Sequence, residues 1–490
     1  MKFKYTTLLF AILAFITSCT KDFEKINTNP NAPETTNTEF LMSDVLVSTA
    51  YAYQENAVNR RPASAARYLT LVRNTGYDLL DWGPVDWDDI YARLAVNKTF
   101  IETAQKRSEN QYVAIGKIMK AFNFGYLTDL YGDIPYSQAL KSKEANIIYP
   151  EYDQQQVIYP DLLRELREAN DMLKGNLQEI NAKGDVMFKG KVLAWRKFAN
   201  SLRLRMLLRI SKNYAPAFTE MQEILNDKIA YPIFESSADN AEVAYLGNIA
   251  AYSWPGGPLA MIDFDYLKTK ASKELVDRLI QRNDPRLTVW VEPVKSTTGS
   301  TVDLNRYVGV PNAIDAPSAY NGGEDHVSVF SSAFFRKNGG SSNALLKASL
   351  ITYTEQCFIL AEAVQKGKLS VSGETAESLY YKGIKESMSS YALSATQAYY
   401  DQPLVKYDGT LEQLITQKWL AMLFKGAEGW FDQRRTGYPA FVTGPLAAGR
   451  GIPKRYTYPD SESAKNRVNY QKAVSVFGTD NQYTLMWYLK

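Results

Sequence analysis

The chain has 490 residues and a formal charge of +3; Lys2 and Lys4 supply two of these, which leaves +1 (3 − 2) on the remainder. A balance that close to zero gives no basic footprint for nucleic acid. One histidine, His326, rules out a two-histidine zinc site, and no G-x-S-x-G elbow accompanies it for a Ser-His-Asp set.

In chain order, the first element is a leader. Lys2 and Lys4 precede the apolar run from Leu8 to Ile16, which is too short to span a bilayer. Thr17-Ser18-Cys19 follows, and the order is similar to a bacterial lipoprotein signal over residues 1–18, with lipid expected on Cys19. The other readings are a plain secretory leader with a chance cysteine and a cytoplasmic protein with an apolar start. With Cys19 lipidated, Cys357 has no partner for a disulfide. Residues 19–38 hold Asn27, Asn29, Pro30, Asn31 and Pro33 and little apolar material. Such a stretch cannot offset its ordering entropy, so it reads as a tether. Several acyl chains would hold the protein on a membrane without spanning it.

Residues 39–239 read as an N-terminal helical part. A helix is expected from about Ile90 to Gln105, with Asp86 capping free N–H groups at its start. Three further stripes follow helical spacing: Tyr112 to Leu130, Ile158 to Leu173, and Trp195 to Ile210. Asp133-Ile134-Pro135 reads as a helix stop. Arg203, Arg205 and Arg209 fall off the apolar stripe and read as helix-surface braces to acidic neighbours. Residues 240–345 differ in composition. They are rich in Pro and Gly and carry possible short strands at Val289–Val294 and Arg306–Val310, so they read as an irregular, loop-rich lobe that bears the ligand. Residues 346–490 return to helical patterning. Tyr353 to Val364 and Ala376 to Tyr391 form a helical hairpin, and Leu411 to Leu423 forms another stripe. The expected class is mostly α, with helix pairs stacked as a solenoid scaffold. No strict 34-residue repeat is written in the chain.

Six segments then converge on one family. They are Leu127 to Ser137, Phe198 to Met206, Asn283-Asp284-Pro285-Arg286-Leu287, Tyr353 to Ala363, Gln417-Lys418-Trp419 with Gly429 to Pro439, and Ile452-Pro453-Lys454-Arg455 with Tyr458-Pro459. Together with the leader and Asn27-Thr28-Asn29-Pro30-Asn31, they resemble the SusD/RagB nutrient-binding lipoproteins of Bacteroidetes across nearly the whole chain. The resemblance implies one compact unit with tetratricopeptide-like helix pairs. It implies a lipid-anchored protein on the outward face of the outer membrane, with no catalytic step; no cofactor and no metal-ligand set is read from the chain, and a structural metal ion is left open. It also implies a SusC-like TonB-dependent β-barrel as partner, to which a captured glycan or peptide is delivered.

Tyr, Trp and Phe make up 13% of the chain. Tyr and Trp offer an apolar face with one polar handle, which suits sugars. Three loops present such residues. Trp82 and Trp87 flank the Gly83-Pro84 turn, in the N-terminal region where family ligand sites often use a tryptophan, although the local spacing is no close match. Tyr252 and Trp254 precede Pro255-Gly256-Gly257-Pro258. Tyr320 and Asn321 sit in a Gly-rich stretch ending at His326. The competing reading is a surface glycoside hydrolase using a carboxylate pair from Asp81 to Asp89.

Overall fold

The computed structural model describes residues 37–490 other than 59, 74–75, 176 and 336–344. The leader, Cys19 and nearly all of the tether lie outside the described residues. Twelve helices of nine or more residues carry the described fold. The N-terminal six are α1 (Thr38–Glu55), α2 (Asp88–Lys106), α3 (Asn110–Tyr131), α4 (Gln155–Met172), α5 (Val192–Ile210) and α6 (Ala217–Asn226). Next come α7 (Lys273–Gln281), α8 (Tyr353–Gln365), α9 (Ala376–Ser389), α10 (Leu411–Ala421), α11 (Glu428–Thr436) and α12 (Arg467–Phe477).

Consecutive helices pack in pairs, α1 on α2, α2 on α3, α3 on α4, α4 on α5 and α5 on α6. The predicted hairpin is α8 on α9, and α10 packs against both of them. Local sequence explains several boundaries. Thr352, Thr375 and Thr410 each accept a backbone N–H at the start of α8, α9 and α10, which satisfies an orphan donor there. Helix α3 stops at Tyr131, just before Gly132 and the Asp133-Ile134-Pro135 stop. At the hairpin crossing Gly383 lies against the Phe358 ring, where an added Cβ would stand 2.7 Å from the nearest ring atom.

Three two-stranded ladders tie distant segments together. Strand β1 (Leu69–Leu71) pairs antiparallel with β5 (Thr269–Ala271), with Leu69 opposite Ala271. Strand β2 (Ile134–Pro135) pairs with β3 (Tyr152–Asp153), and β4 (Ala241–Ala244) pairs with β6 (Lys347–Ile351). The loop-rich 240–345 segment is thus stitched at one strand to the stretch before α2 and at another to the stretch before α8. The two short strands expected inside it do not form. Leu287–Trp290 is a turn of helix, while Val291 and Val310 make only isolated bridges, to Phe330 and Ser272. A few paired backbone groups, such as Val294 N to Arg306 O at 2.9 Å, replace a ladder.

The core holds an ionic layer that the reading of Arg203, Arg205 and Arg209 as surface braces misplaces. All three are buried. Arg205 forks onto Glu355, with Nε to Oε1 at 2.7 Å. Arg209 pairs with both Asp129 and Glu428. The acidic partners were expected; the burial follows because α5 is enclosed along its whole run from Lys197 to Ile210. Arg435 grips Glu362 with two bonds of 2.6 and 2.7 Å and reaches Asp432 at 2.9 Å, while Lys418 meets Asp432 at 2.6 Å. Arg434 takes a different role from its neighbour. It bonds the carbonyls of Lys454 and Asp129 and the Tyr488 hydroxyl, and lies 4.1 Å over the Phe431 ring.

Candidate functional site

Helix α1 builds the floor of a large cleft. Ser43, Val47, Tyr51 and Glu55 recur every four residues, so they form one ridge along the helix. Val45, Leu46 and Ala50 turn the opposite way into the core. Over the ridge stand Tyr77, the first two turns of α2 with Asp89 and Arg93, and the 246–268 segment. Together they enclose about 1030 Å³.

Three tyrosines define the cleft's character. The Tyr51 ring is stacked on Tyr245 with centroids 4.3 Å apart, and its hydroxyl donates to Ala244 O at 2.9 Å. Burial raises the Tyr51 phenol above its ordinary value, so it remains a neutral donor. Tyr252 stands tilted across from Tyr51 at 6.4 Å and is 40% exposed. Beneath them Trp254 is 2% exposed; its Nε1 donates to Phe334 O at 2.7 Å and its ring meets Tyr245 edge-on at 5.7 Å. A Cβ on Gly256 would sit 2.5 Å from Phe334 O, so the turn after Trp254 admits only glycine at this approach. The Pro-Gly-Gly-Pro turn therefore drives the tryptophan inward and leaves the tyrosine outside.

Charged groups line the rim. Lys268 pairs with Asp265, and Arg60 pairs with Glu55. Asp44 and Asp89 are exposed acceptors. Burial lowers the Arg93 pKa, and its Nε is enclosed without a partner. Aromatic faces beside separated donors and acceptors can hold a polyhydroxylated ligand by stacking and hydrogen bonding.

The remaining sequence-predicted residues sit elsewhere. Trp82 (6% exposed) and Trp87 (3%) lie in the core. Trp82 packs edge-on against Trp430 and donates Nε1 to Tyr77 O at 3.0 Å. Trp87 packs among Tyr91, Tyr131 and Tyr458. Neither ring offers a face to solvent, because the turn between them tucks both inward. Asn321 is also buried and fully engaged. It accepts from Val302 N and Asp303 N at 2.8 Å and donates to Asp303 O and His326 O. It staples a loop, while Tyr320 is half-buried beside a small valine cluster. Asp86 accepts from Asp88 N at 2.9 Å at the start of α2, as a capping role requires, although Trp87 holds the cap position itself. Asp81 pairs with Arg450 at 3.2 Å. Two carboxylates of the 81–89 run are therefore committed to structure. Among the described residues no cluster of three metal-ligating side chains occurs, and no helix is long and apolar enough to cross a membrane.

Sequence reasoning missed Tyr51 and Tyr77. The signal for Tyr51 is the four-residue ridge of α1, a mostly polar face of Ser43, Val47, Tyr51 and Glu55 that no apolar stripe marks.

Residues 30–459 match a family described as SusD-like, starch-binding and associating with the outer membrane. The fold is similar to a SusD homologue from Bacteroides fragilis (27% identity, TM-score 0.79, 93% of this chain and 100% of that one). It is also similar to a solved chitin-binding protein (26%, TM-score 0.76, 93% and 100%). A chitin-binding SusD homologue from Flavobacterium johnsoniae shares the fold at 22% identity, TM-score 0.73, over 92% of this chain and 97% of that one. Among curated proteins the chain has no match.

Proposed function

The chain belongs to the SusD-like family of starch-binding, outer-membrane-associated proteins, and from that premise we propose that its tyrosine cleft captures an oligosaccharide at the cell surface and passes it to a SusC-like TonB-dependent barrel. As a family member it is a carbohydrate-binding surface protein and not an enzyme. The observation that carries the assignment of the cleft is the tyrosine platform. Tyr252 is exposed opposite Tyr51, Tyr51 is stacked on Tyr245, and Tyr245 in turn rests on Trp254. A rigid ring pair loses little entropy on binding and gives each sugar face a partner.

A lipid on Cys19 would set this body at the membrane surface through the 19–38 tether. Membrane fractions of a Cys19→Ser variant test that anchor: the variant should leave the membrane, and retention would refute it. Two similar solved proteins carry the description chitin-binding, so chito-oligosaccharides and starch fragments are the first probes. Titration calorimetry on the full chain should show saturable binding of one glycan class that weakens on Tyr252→Ala. Binding that is indifferent to that change would move the site out of this cleft. Co-purification with a β-barrel protein from outer membranes tests the delivery step.

A further inference from the structure

The tyrosine cleft has a charge imbalance. Four carboxylates line it, Asp44, Glu55, Asp89 and Asp265, against three cations, Arg60, Arg93 and Lys268. Two of the cations are spent inside the wall, Arg60 on Glu55 and Lys268 on Asp265. Arg93 makes no ion pair among the described residues, and its Nε is enclosed. Even when Arg93 is counted wholly against Asp89, its neighbour one turn earlier on α2, Asp44 remains. Asp44 is exposed, and among the described residues it has neither an ion pair nor a side-chain hydrogen bond.

Asp89 has a structural reason for its place, since a carboxylate in the first turn of α2 suits the helix dipole. Asp44 has none of that kind. It lies in the second turn of α1, on the face that floors the cleft, seven residues before Tyr51. Seven residues are two turns, about 10 Å along the axis. A linear ligand with one ring on Tyr51 or Tyr252 and its chain along α1 passes over Asp44. The rings of this wall also accept cations. The Arg61 guanidinium lies 4.9 Å over the Tyr77 ring, and an ammonium group over the exposed Tyr252 ring gains in the same way. An acidic sugar fares worse, because it meets the unpaired Asp44 and has only Arg93 to hold it.

We propose that the cleft selects oligosaccharides that carry free amino groups, oligomers of an amino sugar such as glucosamine, and that Asp44 is the residue that reads the ammonium. The selectivity rests on the assignment of this cleft as the glycan site and names the class of glycan it takes. The tyrosine faces hold the sugar rings, which any glycan offers, and the unpaired carboxylate distinguishes a charged amine from a hydroxyl or an acetamide.

The test is titration calorimetry on the full chain at about pH 6, where an amine is protonated and a carboxylate is not. The probes are the trimer of glucosamine, its fully N-acetylated counterpart and maltotriose. The glucosamine trimer should bind roughly three- to fivefold tighter than either neutral trimer, the scale of an exposed ion pair, and the gap should narrow in concentrated salt. Asp44→Asn should abolish the gap and Asp44→Glu should keep it; the position is on an exposed helix face, so both variants should fold like the parent. Tyr252→Ala should weaken all three probes, because the ring serves the sugar and the carboxylate serves the amine. A neutral trimer that binds as well as the amine overturns the proposal and leaves the glycan assignment standing. So does a preference that survives Asp44→Asn. If none of the three binds, the glycan assignment falls first and this selectivity with it.

Discussion

Tyr51 lies flat on Tyr245, with 18° between the ring planes, and this stack joins the first described helix to the loop-rich middle of the chain. The Tyr245 hydroxyl is buried and bonded to nothing, while its ring does the supporting. Tyr245→Phe should therefore keep glycan affinity and leave stability equal or slightly higher, because an unsatisfied hydroxyl is removed. Tyr245→Ala should weaken both. Paired calorimetry and thermal melting distinguish the two variants.

Removing the exposed ring by Tyr252→Ala should cost about 1 kcal/mol of glycan binding, roughly fivefold in Kd, with the melting temperature unmoved. A fall in melting temperature equal to that of a core mutation would show that Tyr252 is a packing residue instead.

Glu428 is shared among Arg209, Arg205 and the Tyr53 hydroxyl, all inside the core. Glu428→Gln weakens one partner of each guanidinium but leaves Arg205 on Glu355 and Arg209 on Asp129. The expected loss is about 1–3 kcal/mol, the scale of a buried charge-assisted hydrogen bond, read from urea unfolding.

Acid should loosen the layer beneath α11. Burial works against the Glu362 charge, but Arg435 outweighs it and holds the carboxyl at about 2 rather than 4.5. A folded value below the unfolded one means the stabilisation is complete above about pH 4.5 and is lost as pH falls toward 2. It amounts to something on the order of 3 kcal/mol. Glu362→Gln should flatten the stability profile in that window, and an unchanged slope would count against it.

Gly383→Ala should destabilise the α8–α9 hairpin by about 1–3 kcal/mol, because the new methyl overlaps the Phe358 ring. Phe358→Leu in the same chain should recover part of the loss, measured as a double-mutant cycle.

Periodic apolar spacing made α3, α4, α5, α8, α9 and α10 legible, since each shows its core face locally. Adjacency also makes Arg434 and Arg435 beside Asp432 read as one ion-pair cluster; Arg435 joins Asp432, whereas Arg434 goes to two carbonyls and a hydroxyl instead. What was not legible depends on chain segments far apart. Arg209 meets Glu428 only because α5 and α11 pack together, and nothing near either residue announces it. The aromatic loops show the same limit. Tyr252 and Trp254 look alike in sequence, yet one faces the cleft and the other is buried, because the sense of the Pro255-Gly256 turn decides which ring points in. The same holds for Trp82 and Trp87, which read as surface platforms and act as wedges.

Trp82 is held by more than its own loop. The Gln482 amide accepts from Trp82 N at 2.8 Å and also donates to Leu80 O. A residue 400 positions away thus closes the turn, which cannot set until the two distant segments have met. Gln482→Ala should leave residues 76–87 open to protease in the otherwise folded protein, and equal resistance in parent and variant would show that the turn holds itself shut.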